Sequence, residues 1–282
     1  MEPARSVDRQ IWREGGLSLG HRSIPEEAAV AITYNGGTYA VMMATPLDPE
    51  DFAVGFSLSE GIINSSDDIA SLDIVGFDGG IELRIWLSQP KADRLQERRR
   101  HIAGPTGCGL CGIESVTEAM RPAAIVGQGR RFSPEQIMLA MQSLPSRQKL
   151  NIATRAVHAA AFWNTTGGIV ALREDVGRHN ALDKLSGALA RASIRAGEGM
   201  LLLTSRVSVE MVQKAAAIGA PVMVSVSAPT ALAVRMADAA GITLAAIARA
   251  DGFEVFTHPH RIAPDAVACV AAGSGAARVF TA

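Results

Sequence analysis

Cysteine is scarce, with three in 282 residues, and the chain opens as Met1-Glu2-Pro3-Ala4-Arg5-Ser6 without an apolar leader. Three thiols are too few for a disulfide framework, and the missing leader predicts a cytoplasmic protein. Charges cancel to a formal net of -1, so no bulk basic surface suggests duplex nucleic acid as a partner. No apolar run reaches the roughly 20 residues a membrane span needs. A P-loop is missing, and the one Gly-x-Gly-x-x-Gly spacing, at 107–112, does not open directly from a strand, which argues against a Walker-type ATPase and a Rossmann dinucleotide site. Internal repeats and low-complexity tracts are absent as well. What is present is a chain that is 48% hydrophobic, long enough for one large or two modest domains with real cores.

Two of the three cysteines stand together in Gly107-Cys108-Gly109-Leu110-Cys111-Gly112, preceded by Gly104-Pro105-Thr106 and followed by Ile113-Glu114-Ser115-Val116. This reads as an open loop of small residues feeding a helix. Thiols at that spacing can share a persulfide, a disulfide or a metal. The basic run Arg98-Arg99-Arg100-His101 and the amides of a helix start would favour thiolate, although such a run also fits a solvated helix face. Cys269 in Ala268-Cys269-Val270 reads as a small core residue.

The first half predicts a small α+β unit over 25–103, after an N-terminal tail at 1–24. Strands 28–34 and 38–43 flank Asn35-Gly36-Gly37, and strands 72–77 and 81–87 flank Asp78-Gly79-Gly80. Between them a helix is expected, capped by Asp48, with Pro49 at its first position and Gly61 at its end. Residues 104–130 are the cysteine loop and a connecting helix. From 131 to 282 the pattern is α/β. Ser133-Pro134-Glu135-Gln136 is a capping box, strands 159–163 and 169–173 follow, and strands 200–204, 222–226 and 243–248 alternate with helices 180–192, 209–218 and 230–240. That alternation predicts right-handed crossovers and a mostly parallel sheet covered on both faces.

Ligands in such sheets bind beyond the carboxyl ends of the strands. The residues there are polar: Glu174-Asp175-Val176-Gly177-Arg178-His179-Asn180, Ser205-Arg206, Ser227-Ala228-Pro229-Thr230 and Arg249-Ala250-Asp251-Gly252. Arg178, Arg206 and Arg249 with Ser227 and Thr230 at a helix start would suit phosphates. The structural alternative is that Ser227 and Thr230 only cap their helix, that Arg178 and His179 pair with Glu174 or Asp175, and that His158 is a core histidine. The element order is similar to the cytidine deaminase architecture, but the zinc motif is replaced by His179-Asn180-Ala181 and Arg206-Val207-Ser208-Val209-Glu210, without a thiol.

Several stretches together resemble the formate dehydrogenase accessory sulfurtransferase family (FdhD/NarQ). They are Asn35-Gly36 with Met43-Ala44-Thr45-Pro46, Val54-Gly55-Phe56 with Ser59-Glu60-Gly61-Ile62-Ile63, Cys108-Gly109-Leu110-Cys111-Gly112 and Val157-His158-Ala159-Ala160. Glu174 to Ala181 with Asp183-Lys184, Ser205-Arg206-Val207-Ser208 with Glu210-Met211 and Lys214, Ala228-Pro229-Thr230 and Gly241-Ile242-Thr243-Leu244 complete the set. One departure is Thr154-Arg155-Ala156 where members often carry Thr-Gly-Gly before the histidine. The resemblance implies a three-layer cytidine-deaminase-like domain and a sulfur carrier. Its persulfide sulfur comes from a cysteine desulfurase and passes to the Mo-bis(molybdopterin guanine dinucleotide) cofactor, or its tungsten counterpart, of formate dehydrogenase. Carried over, Cys108 bears the persulfide and Cys111 is the second thiol. Ile247, Ala248, Arg249, Ala250, Asp251 and Gly252 match the guanine-dinucleotide contact segment, joined on the rim by Asp175, Arg178, His179, Arg206, Ser227 and Thr230. GDP is the expected fragment analogue, no resident metal is expected, and a two-armed cofactor suits a symmetric homodimer. A Cys-x-x-Cys redox protein and a zinc-stabilised scaffold remain the alternatives.

Overall fold

A computed structural model describes residues 1–92 and 121–263. Cys108, Cys111, Cys269 and the helix expected after the cysteine loop lie outside the described residues. Strands β1 (Ala4–Arg13) and β2 (Gly16–Pro25) pair antiparallel over their full length. Where the sequence suggests a tail there is therefore a hairpin. Polar and apolar side chains share both of its faces and neither strand buries a residue, so the period-two signal of a half-buried strand is missing.

Strands β3 (Ala28–Tyr34) and β4 (Gly37–Ala44) are joined by Asn35-Gly36, whose φ values of 50° and 80° are those of a tight hairpin turn. Helix α1 (Pro49–Ser59) and strands β5 (Ile69–Phe77) and β6 (Gly80–Leu87) follow, and the sheet runs β4-β3-β6-β5 with β3 parallel to β6. Ile32, Leu83 and Ile85 on its inner face pack with Phe52 and Phe56 of α1. Asp48 precedes α1 but does not cap it. Its backbone is left-handed (φ 51°), and its carboxylate lies 3.5 Å from Arg173 Nε instead.

The second sheet is built from β7 (His158–Asn164), β8 (Gly168–Asp175), β9 (Met200–Leu203), β10 (Val222–Ser225), β11 (Thr243–Arg249) and β12 (Gly252–Val255), in the order β12-β11-β10-β9-β7-β8. The β9, β10 and β11 trio is parallel as expected, but β7 runs antiparallel to both its neighbours and β12 antiparallel to β11. The sheet is thus mixed, with a hairpin at each edge. Helices α2 (Pro134–Ser143) and α3 (Lys149–Thr154) precede it, while α4 (Arg178–Arg191), α5 (Val209–Ile218) and α6 (Ala231–Ala239) are interleaved with its strands. Leu201 and Leu203 face α4, α5 and α6, whereas Met200 and Leu202 face α2. Both sides are dry, so β9 reads as an unbroken apolar run.

Helices α1 and α4 cross backbone to backbone. A Cβ on Gly55 would stand 1.7 Å from the Asp183 carbonyl oxygen, and one on Gly187 would stand 1.9 Å from that of Asp51. Asp51 clamps the crossing by accepting from Arg173 Nη2 at 2.6 Å and Arg191 Nη1 at 2.5 Å. This joint sets the small sheet against the start of α4, where the candidate site lies.

Candidate functional site

The strand registers bring four strand ends to one edge. Asp175 at the end of β8 pairs with His158 at the start of β7, Ala160 pairs with Leu203, Leu203 with Ser225, and Val224 with Ala245. The expected rim is therefore assembled from the ends of β8, β9, β10 and β11. Because β7 is antiparallel, its first residue, His158, belongs to that rim too. The loops are stitched together. Ser225 Oγ donates to the Ser205 carbonyl at 2.6 Å, Thr230 N to that of Val207 at 3.0 Å, and Ile247 N to that of Ser227 at 3.4 Å.

The candidate residues separate into occupied and open groups. Thr230 Oγ1 accepts from Ala233 N at 3.2 Å and so caps α6, which commits its hydroxyl, while Ser227 does not cap. Arg206, Arg249, Ala250 and Asp251 are exposed along the rim, and Ala248 is buried. Ile247 has φ 54° at a register shift between β11 and β12. A β-branched residue in the left-handed region is strained, and such strain persists only where the surroundings enforce it.

Asp175 is not open to a ligand. Its carboxylate is wholly buried and accepts from Lys184 Nζ (2.6 Å), Gly177 N (2.7 Å), Thr45 N (3.0 Å) and Asn180 Nδ2 (3.0 Å). Lys184 Nζ also donates to the Thr45 carbonyl at 2.8 Å, and Asn180 Nδ2 to that of Met43 at 2.9 Å. Burial lowers the pKa of Lys184 and the Asp175 charge opposes that shift. Glu174 is equally committed, since its two oxygens accept from Leu150 N and Asn151 N, both at 2.8 Å, at the start of α3. The polar string after β8 is thus largely a joint, tying α3 and the β4–α1 connection to the first turn of α4.

What that joint presents is open. Arg178 Nε and His179 Nε2 are buried atoms without a hydrogen-bond partner among the described residues, while Ser208, before α5, is engaged by the Glu210 carboxylate, whose pKa that contact lowers. Gly177 precedes α4 without a side-chain cap, so the first amides of α4 also face the rim, whereas Glu210 places a carboxylate in the first turn of α5. Burial, then Arg178 and Lys214, hold His179 below the usual histidine pKa against Glu210 and Asp183. Burial and Arg178 do the same to His158, against Asp175. Both imidazoles are therefore neutral near pH 7. Buried polar atoms are nearly always paired, and an orphaned pair at the uncapped start of α4 has the chemistry to receive an anion. His158 begins a strand and so suggests a core residue; the antiparallel β7–β8 hairpin is the clue to its rim position.

Comparisons with known proteins agree on one family. The FdhD/NarQ family model matches residues 25–263. A protein of Agrobacterium fabrum named sulfur carrier protein FdhD is 51% identical over 259 residues, covering 92% of this chain and 96% of that protein. Its namesake in Cupriavidus necator is 49% identical over 255 residues, covering 90% and 88%. A crystal structure from Desulfotalea psychrophila, provisionally described as a formate dehydrogenase accessory protein, superposes with a TM-score of 0.74 at 25% identity, covering 93% of this chain and 100% of that one.

Proposed function

The chain belongs to the FdhD/NarQ family, and from that premise we propose that it is a sulfur carrier serving formate dehydrogenase. In this reading the Cys108 thiolate attacks the terminal sulfur of a cysteine desulfurase's persulfide. The bond between that sulfur and the donor breaks, the donor cysteine leaves as a thiolate, and Cys108 carries the persulfide with no net oxidation. Cys111 is the second thiol, which assists or resolves the exchange. The recipient is the molybdenum or tungsten bis-guanine-dinucleotide cofactor, a substrate of the carrier that has yet to enter formate dehydrogenase. The carrier works in a reducing compartment, the cytoplasm, because oxidation of the paired thiols would end the cycle.

The observation that supports the recipient is the orphaned pair Arg178 Nε and His179 Nε2 at the uncapped start of α4 on the rim. Guanidinium and helix-start amides fit the phosphates of a dinucleotide. The exposed turn Arg249-Ala250-Asp251, beside the strained Ile247, lies on the same edge and is the segment read as the guanine contact. Strand order β8-β7-β9-β10-β11, with α4 to α6 on one face, is what favours the cytidine-deaminase-like description of this layer. Intact mass after incubation with a cysteine desulfurase and cysteine tests the carrier step. The wild type and Cys111→Ala should each gain one sulfur atom and Cys108→Ala none. Sulfur retained by Cys108→Ala would refute the assignment.

A further inference from the structure

Helices α4 and α5 begin side by side on the rim, and the polar side chains between them form two rungs. Helix α4 sets His179 and Asp183 one turn apart, and α5 does the same with Glu210 and Lys214. The lower rung is closed, since Lys214 Nζ donates to both oxygens of Asp183, at 2.7 and 2.9 Å. The upper rung is not. Glu210 is engaged by Ser208, and His179 Nε2 is buried with no partner among the described residues. Each carboxylate facing the imidazole is thus already committed, which leaves a buried ring nitrogen without an acceptor.

The groups facing His179 are Arg178 beside it and Asp183 one turn on, both from α4, with Glu210 and Lys214 from α5. Burial first, then the two cations, hold the ring neutral near pH 7 against the two carboxylates. The uncapped amides of α4 add potential of the same positive sign. An anion arriving at Arg178 reverses that balance, because an opposite charge close by favours the protonated ring. A neutral imidazole has one N–H for its two nitrogens, whereas an imidazolium has one on each. Protonation therefore gives Nε2 a hydrogen to donate whenever an acceptor oxygen comes within reach.

We propose that His179 takes up a proton when the phosphates of a guanine dinucleotide bind at Arg178, and donates it from Nε2 to a phosphate oxygen. The inference rests on the reading of the rim as the edge that receives the cofactor, and adds that each dinucleotide bound brings a proton in from solvent. One buffer molecule loses that proton, one ring nitrogen gains it, and no bond to phosphorus or sulfur changes. Affinity for the dinucleotide therefore rises as pH falls. A site made of Arg178 and backbone amides alone would be indifferent to pH in this range, because guanidinium stays charged throughout. His158, the other neutral imidazole on the rim, faces Arg178 and Asp175. Neither of its nitrogens is an orphaned buried atom, so the proton is assigned to His179.

Calorimetry of the full chain with diguanosine pyrophosphate decides it, because both phosphates of that ligand are diesters and do not titrate near neutral pH. Measured at pH 7 in two buffers of different ionisation enthalpy, the wild type should take up about half a proton per ligand, which corresponds to about tenfold tighter binding at pH 6 than at pH 8. His179→Asn should still bind but lose both the uptake and the pH dependence, while His158→Asn should keep both. Binding by the wild type without uptake, uptake that survives in His179→Asn, or uptake lost in His158→Asn would overturn the proposal and leave the reading of the rim standing. No binding at any pH would overturn both. Should His179→Asn misfold, the wild type answers through its assigned ring-proton resonances, which number only six histidines. The titration midpoint of His179 must move to higher pH when the ligand is added, and a midpoint that stays in place overturns the proposal equally.

Discussion

Replacing Lys184 by methionine asks how much of the molecule rests on one buried ion pair. Lys184 Nζ lies 2.6 Å from Asp175 Oδ2 and 2.8 Å from the Thr45 carbonyl, and the two side chains are 1% and 0% exposed. Methionine fills the aliphatic volume but strands a buried carboxylate. Breaking such a pair from one side costs about 3–5 kcal/mol. Asp175 keeps three donors, from Thr45 N, Gly177 N and Asn180 Nδ2, which places the loss near the lower end, about 3 kcal/mol. For a chain of this length that corresponds to a fall in Tm of roughly 6–12 °C. Adding Asp175→Asn removes the stranded charge, so the double variant should lose less than the sum of the two single variants. Urea unfolding followed by circular dichroism gives all four free energies. A Lys184→Met variant within about 1 kcal/mol of wild type, or strict additivity in the cycle, would refute the claim that this pair holds the β4–α1 connection to α4.

Gly187→Ala should destabilise by about 3 kcal/mol, since its Cβ would meet the Asp51 carbonyl at 1.9 Å and the crossing helices must part; an unchanged urea midpoint would contradict that packing. The histidines impose a pH dependence. His158 and His179 are held below the usual value, chiefly by burial, so the unfolded chain protonates first as pH falls through about 6.5. Stability should thus be complete above that pH and decline below it until the folded-state values are passed, and His179→Asn should flatten the decline. Arg178→Ala should weaken GDP about tenfold in calorimetry, the worth of one charge-assisted hydrogen bond, while equal affinities in the two proteins would remove Arg178 from the site.

Elements with complete local signals are legible in the sequence. Asn35-Gly36 specifies its hairpin, Ser133 with Gln136 forms the reciprocal cap of α2, and the apolar runs of β9, β10 and β11 mark those strands within a residue. Elements that depend on distant partners are not. Helix α3 is six residues long and is started by Glu174, more than twenty positions away. The β1–β2 hairpin has no buried side to impose a period. Asp48 is in the right place for a cap but has the wrong backbone geometry, because Arg173 competes for its carboxylate.

The candidate site shows the same division more sharply. Position after a strand brings these residues to one edge of the sheet but does not tell a ligand group from a joint. Asp175 and Arg178 are three residues apart in one string, yet the first spends both oxygens on four internal donors while the second has a buried Nε that no described residue accepts from. Three of those four donors, Lys184, Gly177 and Asn180, belong to the string itself or to α4, but the fourth, Thr45 N, arrives from the connection that leaves the other sheet. Only the folded chain reveals that this carboxylate is saturated. The distinction gives the two residues opposite experimental signatures: loss of Asp175 should appear first in stability, and loss of Arg178 first in affinity for the nucleotide fragment.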